Sequence, residues 1–285
     1  MFSPVSTNAW ETDSVRLSKH HGLANDFLVA LDEVNDRALT VDGDLARRLC
    51  HRRTGVGADG LIHGKRPIND ANHIDVVMHL FNSDGSRAEM SGNGIRCLVQ
   101  AVAQARHRDA GTFRVATDGG VRIVELQPST PGIVEVSVDM GPARPGPHVP
   151  APVESELGAR HATVDMGNPH LVIETDAPEL VDLETRGGWL EQQFDGGMNV
   201  EFIAKDDGHA DSIVLRVWER GAGVTQACGT GACAAAHVAH AWGLVGETAT
   251  VEMPGGSARV QLGEHLVLIG PSEFIATIEV ADALS

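Results

Sequence analysis

Short β-branched and apolar runs separated by Gly and Pro dominate the chain. TFRVAT, VRIVEL, IVEVSV, TATVEM and ARVQL each alternate as a half-buried strand does, and each is bounded by turn residues. Helical spacing is sparser. It predicts helices over 42–52, 92–107, part of 178–194 and 229–242. The last is filled by Ala, Cys, Val and Trp, with His237 and His240 among them. A helix with so little polar face is buried, and its small residues let strands approach its backbone. The pattern predicts an α/β (α+β) fold in which a curved, mainly antiparallel sheet wraps a central helix, twice over.

The duplication rests on an ordered set of features. SGNGIRCLVQAVAQA, starting at Ser91, and CGTGACAAAHVAHA, starting at Cys228, both run from a small polar residue through Gly-x-Gly into an Ala-rich helix. Nine residues upstream stand Asn82, ending VVMHLF, and Glu219, ending IVLRVW. Further back, Asn25 in HGLANDFLVAL and Asn168 in MGNPHLVIE each precede a β-like run. Downstream, both helices lead to a strand and a glycine pair, FRVATDGG and TVEMPGG. One Gly-x-Gly is common by chance; five ordered features are not. Two similar halves follow, 15–138 and 139–274, with a last strand near 274–280 that returns the C-terminal 275–285 to the first half. GPARPGPHVPAP near the junction predicts an extended connection.

Composition narrows the function. The 285 residues suit one large domain or two ordinary ones, and no apolar run reaches the length of a membrane span. MFSPVSTNAWETD lacks a hydrophobic signal core and is expected to be a loose arm of a cytoplasmic protein. A net charge of −17 with no basic run argues against nucleic-acid binding. The four cysteines, Cys50, Cys97, Cys228 and Cys233, form no CxxC pair, so neither a disulfide framework nor a metal site is expected. Cys97 and Cys233 lie inside their helices and are expected to pack in the core.

An acidic protein that binds an anion needs a locally positive site, and helix N-termini supply one. Gly92-Asn93 and Gly229-Thr230 would offer backbone N–H groups to a carboxylate. Cys228, at a helix start, is expected to have a lowered pKa and to serve as base or acid. Two opposed groups suit proton removal from one face of an α-carbon and delivery to the other. A pyridoxal cofactor would need a Schiff-base lysine, and Lys19, Lys65 and Lys205 lie in no convincing context for one. No cofactor is expected.

HGLANDF, RRTGVGADG, FNSDGSRAEMSGNGIRC, MGNPH, MNVEF, WERGAGVTQACGTGACAA and MPGG together closely resemble the diaminopimelate epimerase family, in order, from about residue 18 to 257. The resemblance implies two pseudo-symmetric domains with the site between them, conversion between LL- and meso-2,6-diaminopimelate for lysine and cell-wall synthesis, no cofactor, and commonly a homodimer. It implies that Asn25, Asn82, Asn168 and Asn199 bind the substrate's polar ends. Glu219 and Arg220 would grip its ammonium and distal carboxylate. Gly92, Asn93, Gly229 and Thr230 would hold the reacting carboxylate, and His170 would orient groups at the centre. At Gly60, where the family often has a substrate-binding side chain, only backbone is on offer. Cys228 and Ser91 would be the catalytic pair, and Ser91 is a departure, because the family has a second cysteine there. A hydroxyl is a far weaker acid than a thiol, and only Glu89 lies near it in sequence. Three outcomes remain open: Ser91 relays a proton, the serine is an engineered replacement, or the reaction is one-sided elimination or isomerisation from Cys228. A non-catalytic amino-acid binder is the alternative from another class.

Overall fold

The computed structural model describes residues 14–67, 73–157 and 160–280. The predicted N-terminal arm and the last five residues, 281–285, lie outside the described residues.

The first half runs β1 (Val15–Gly22), β2 (Asn25–Leu31), α1 (Gly43–Cys50), β3 (Gly60–Lys65), β4 (Val76–Asn82), β5 (Arg87–Ala88), α2 (Gly92–Ala105), β6 (Gly111–Thr117), β7 (Gly120–Thr130) and β8 (Ile133–Gly141). The second runs β9 (Arg144–Pro145), α3 (Ala151–Leu157), β10 (His161–Asp165), β11 (Pro169–Glu174), α4 (Leu183–Gln192), β12 (Asn199–Lys205), β13 (Ser212–Glu219), β14 (Gly223–Val224), α5 (Gly229–Ala241), β15 (Thr248–Met253), β16 (Gly256–Gln261) and β17 (Leu266–Val280).

The pairings repeat in order. β2 and β3 are parallel, as are β11 and β12; β4 and β6 are parallel, as are β13 and β15. The other ladders are antiparallel, including β6–β7 with β7–β8 and their counterparts β15–β16 with β16–β17. Each half thus wraps a curved sheet around its own helix, α2 or α5, and the first closes into a ring through β8–β17 and β17–β1. β17 belongs to both sheets. Its start pairs with β16 and β8, and its end pairs with β1 from Val15↔Val280 to His21↔Glu273. The strand expected near 274–280 is therefore the second half of a longer one beginning at Leu266.

Alternation along the strands explains the layering. In β2, Phe27, Val29 and Leu31 face the helix side of the sheet, while Leu28 and Ala30 pack outward with Leu45 and Leu49 of α1. In β11 and β12, Val172 and Ile203 face α5, while Leu171, Ile173, Val200 and Phe202 pack outward with Leu183 and Leu190 of α4. One apolar core surrounds both central helices, and Cys97 and Cys233 lie fully buried in it. α1 is capped by Asp42, whose side chain accepts from the Leu45 amide at 2.9 Å. The Pro-rich connection does not stay extended. At Ala151 it turns into α3, where the amides of Val153 and Glu154 donate to the Pro150 carbonyl. Pro152 suits a first turn, whose N–H would be unpaired anyway.

Inside the first ring lies a small polar cluster. His20 Nδ1 bonds Gln100 Oε1 at 2.9 Å, Ser272 of β17 donates to the same oxygen at 2.8 Å, and Gln100 donates to the Gly132 carbonyl at 2.9 Å. It ties α2 to β1 and to the shared strand. Among the described residues, no helix is long and apolar enough to cross a membrane.

Candidate active site

The two glycine-rich helix starts meet. Ser91 and Cys228 are the N-caps of α2 and α5, both in extended backbone (φ −140°, ψ 126° and φ −125°, ψ 119°). Each caps its helix through the side chain: Ser91 Oγ accepts from the Gly94 amide at 3.0 Å, and Cys228 Sγ from the Gly231 amide at 3.3 Å. The next residues touch. A Cβ on Gly92 would lie 3.2 Å from Gly229 Cα, and one on Gly229 would lie 3.0 Å from Gly92 Cα. Leu268 of β17 closes over both, 2.8 and 2.9 Å from those Cβ positions. Glycine is required here for close approach of backbone to backbone. The N–H ends of both helices face one point, where their partial positive charges add.

Strand register places the remaining sequence candidates in equivalent pairs. Asn25 and Asn168 stand at the entries of β2 and β11. Gly60 and Asn199 start β3 and β12, and Asn82 and Glu219 end β4 and β13. Asn25 donates to Asp59 Oδ2 at 2.9 Å and accepts from Asn93 at 3.2 Å. Asn93 is buried and bridges the halves, since its Nδ2 also donates to the Ala227 carbonyl at 3.2 Å while Arg96 donates to its Oδ1 at 2.7 Å. The side chain of Asn93 is thus committed to this bridge. Asn199 holds the Arg220 amide at 2.9 Å and donates to the Pro169 carbonyl at 2.8 Å. Gly60 is crowded: a Cβ would lie 2.8 Å from the Phe81 carbonyl. Two candidates reach elsewhere. The Asn82 side chain is exposed and bonds Ser86, and the exposed Arg220 guanidinium bonds the Gly196 carbonyl at 3.2 Å.

The symmetry of backbone is broken in chemistry. β2 and β3 align Phe27 with Gly60 and Val29 with Ile62; β11 and β12 align His170 with Asn199 and Val172 with Glu201. Where the first half has Phe27 and Ile62, the second has His170 and Glu201. Both polar side chains are fully buried, and His170 Nδ1 lies 2.6 Å from Glu201 Oε1. Glu201 sits beneath the first turn of α5, as Ile62 sits beneath α2. A Cβ on Gly231 would meet Glu201 Oε1 at 2.8 Å, and one on Gly94 would meet Ile62 Cδ1 at 3.3 Å. From Glu201 a chain of contacts reaches the sulfur. His170 Nε2 lies 3.0 Å from Asn168 Oδ1, Asn168 Nδ2 lies 3.4 Å from Thr230 Oγ1, and Thr230 Oγ1 lies 3.5 Å from Cys228 Sγ. Glu219 accepts from Thr225 and faces Cys228.

Electrostatics overturn one expectation. The Cys228 thiol is pushed well above its ordinary value, first by burial and then by the Glu219 and Glu201 carboxyls; its bonds to Thr230 and the Gly231 amide oppose this but are weaker. The expected lowering by the helix terminus loses to desolvation and neighbouring acids. So placed, Cys228 is a thiol at neutral pH. Burial also raises Glu219 and Glu201. Sequence reasoning missed Glu201, although it lies in the MNVEF block. A lone acid in a strand that is otherwise apolar was the available signal. It also missed Asp59, which orients Asn25 and pairs with Arg52 at 2.7 Å, and Arg96, fully buried with burial drawing it down to about 10. Among the described residues, no three His, Cys, Asp or Glu side chains are grouped to hold a metal ion.

Two curved sheets, each around a helix, with the two helix starts opposed, define a fold class already known from solved structures. The hydroxyproline epimerase from Agrobacterium vitis has it, with a TM-score of 0.70 and 16% identity over 96% of this chain and 94% of that one. So does the phenazine biosynthesis protein of the PhzF family from Bacillus anthracis, with a TM-score of 0.69 and 10% identity over 94% of this chain and 99% of that one. Within that class the family is narrower. The description "Diaminopimelate epimerase" matches residues 17–145 and 162–275. Diaminopimelate epimerases from Nostoc punctiforme and Pseudomonas entomophila are 35% and 38% identical, covering 93% and 90% of this chain and 99% and 96% of those proteins. This chain belongs to the diaminopimelate epimerase family and is an isomerase.

Proposed function

We propose that this chain interconverts LL- and meso-2,6-diaminopimelate without a cofactor, moving a proton at the α-carbon between Cys228 on one face and Ser91 on the other. The observation that carries this reading is the contact between Gly92 and Gly229, which aims two N-capping side chains and two sets of backbone N–H groups at one point. There the α-carboxylate would be held, and the same donors would stabilise charge as the α-carbon loses its proton. Cys228 rests as a thiol and delivers a proton in one direction. In the other, Glu219 takes the thiol proton first, because its own carboxyl is raised by burial and faces the sulfur. Among the described residues, Ser91 bonds no titratable side chain, and it passes its proton through water, which makes its half of the reaction the slow one. Asn25, Asn82, Asn168, Asn199 and Arg220 serve the polar ends of the substrate. The two catalytic units are 15–138 with the end of β17, and 139–274. The enzyme acts in the cytoplasm as a homodimer, supplying lysine and cell-wall precursors.

One observation favours a second reading: the two buried carboxyls that act on a catalytic side chain, Glu219 and Glu201, both lie on the Cys228 side. One-sided elimination or isomerisation from Cys228 would need no more. Incubating LL- and meso-diaminopimelate separately in deuterium oxide distinguishes the two. Deuterium in the product stereoisomer supports the epimerase; deuterium confined to recovered substrate, from one isomer alone, rejects it.

A further inference from the structure

We propose that Glu201 is a positioning residue. It shares one proton with His170 Nδ1, and that proton fixes the direction of a hydrogen-bond chain ending at the Cys228 sulfur. The inference deepens the assignment of Cys228 as the proton-transferring group and rests on it.

The direction follows link by link. Asn168 Oδ1 can only accept, so the His170 Nε2 facing it at 3.0 Å carries a hydrogen. If Glu201 were a bare carboxylate and His170 neutral, Nδ1 and Oε1 would then present two lone pairs to each other at 2.6 Å. A proton between them removes that conflict. It can sit on Oε1 or on Nδ1, and the pair has zero net charge in both cases. Zero net charge suits a site where both side chains are fully buried and Glu201 Oε2 has no partner. The raising of the Glu201 carboxyl by burial agrees with this.

Beyond His170 the chain has one sense. Asn168 Nδ2 donates to Thr230 Oγ1, so the Thr230 hydroxyl is turned to donate onward to Cys228 Sγ. The Gly231 amide donates to the same sulfur. With two donors aimed at it, the sulfur directs its own proton to Glu219, the carboxyl that faces it from β13. Glu201, four contacts away, thereby sets where the thiol proton points. The groups facing this cluster from the packed elements are His170 on β11, Glu219 on β13, and Cys228 and Thr230 on α5. Arg186 stacks on Phe202, a neighbour in sequence that points to the other face of β12. The first half has Phe27 and Ile62 in place of the pair and so lacks the device.

Two variants test this without relying on turnover. Glu201→Gln keeps a donor for Nδ1 but has no proton to share. Glu201→Ile installs the residue that occupies the matching place beneath α2. The readout is the pH dependence of Cys228 alkylation by iodoacetamide, located by peptide mass spectrometry, with the native enzyme beside both variants. Glu201→Gln should leave the Cys228 titration where it is, because one pair of zero net charge replaces another. Glu201→Ile should move it up, lowering alkylation at pH 8 about tenfold, the effect of one lost hydrogen bond to a thiolate. A low-field imidazole proton resonance should be present in the native enzyme and absent from both variants. A downward shift in Glu201→Gln would mean that an ionised carboxylate had been removed, and would overturn the shared proton. An unchanged titration in folded Glu201→Ile would mean that the chain does not reach the sulfur. If Glu201→Ile fails to fold, the Gln variant and the proton resonance decide. Absence of epimerase activity from the native enzyme, with the variant titrations as expected, would count against the proposed reaction and not against Glu201.

Discussion

Gly229→Ala tests whether the two helix starts are held in hard contact. The added methyl would lie 3.0 Å from Gly92 Cα and 2.9 Å from Leu268 Cδ2. Carbon atoms settle at about 3.5–4.0 Å, so roughly half an ångström must be found. Leu268 can turn aside, but the Gly92 backbone cannot. Overpacking of this kind costs about 1–3 kcal/mol, and up to about 1 kcal/mol returns from the better helix propensity of alanine. The expected result is a net loss of about 1–2 kcal/mol in urea denaturation. Activity should suffer beyond that. A 1 Å misplacement of reacting groups costs about 10²-fold, so prising the N-caps apart by half as much should slow exchange of the α-hydrogen about tenfold. Gly92→Ala mirrors the clash, at 3.2 Å to Gly229 Cα and 2.8 Å to Leu268. The double variant should lose more than the sum of the two, because the new methyl groups face each other. A Gly229→Ala protein with native stability and an exchange rate within about twofold of native would refute the contact as the organising feature of the site.

Three further outcomes are expected. Ser91→Cys should raise the rate of exchange into the opposite stereoisomer by at least about tenfold, the low end of what a better-matched acid or base contributes; no gain, with Cys228→Ala inactive, would favour one-sided chemistry. His20 is drawn from 6.5 to about 4 by burial, with Gln100 opposing. Its contribution is present above pH 6.5 and lost as pH falls toward 4, and amounts to about 3 kcal/mol. His20→Gln should flatten the fall in stability across that window in denaturation at stepped pH, and an unchanged slope would contradict the assignment. Asn93→Ala deletes the bridge between Asn25 and the Ala227 carbonyl and leaves Arg96 without its acceptor. A loss of about 2–4 kcal/mol in stability is expected, and a native urea midpoint would show that the bridge is dispensable.

The repeat was legible in the sequence because the features that define it are local. Asn25 with Asn168, Ser91 with Cys228 and the two Gly-x-Gly starts recur in one order, and equal spacing puts them at equal register. The helix 229–242 was legible as a core helix because Ala and Cys leave it little polar face, and it is observed over Gly229–Ala241. What failed depends on neighbours distant along the chain. The acidity of Cys228 could not be read from its helix start, because Glu201 and Glu219 approach from two other strands. Glu201 itself was lost in a run that reads as an ordinary buried strand; only the ladder pairing it beside Val172, with His170 on the same face, gives it a partner. The length of β17 was underestimated because Pro271 interrupts the sequence pattern, although in the fold it pairs with Glu135 in a ladder that runs in register from Val267 to Glu273. α3 was missed because its Pro-rich approach masks a helix of seven residues.

The shared strand also bears on how the protein is made. β17, Leu266–Val280, is the last strand described to leave the ribosome, and both sheets pair with it. Until it emerges, β1 and β8 of the first sheet and β16 of the second all present unpaired edges. Neither half can finish folding while the other is being synthesised, unlike domains that mature in turn from the N-terminus. A chain stalled short of Leu266 would hold two open sheets and no assembled cleft, so this architecture is released for function only as a whole.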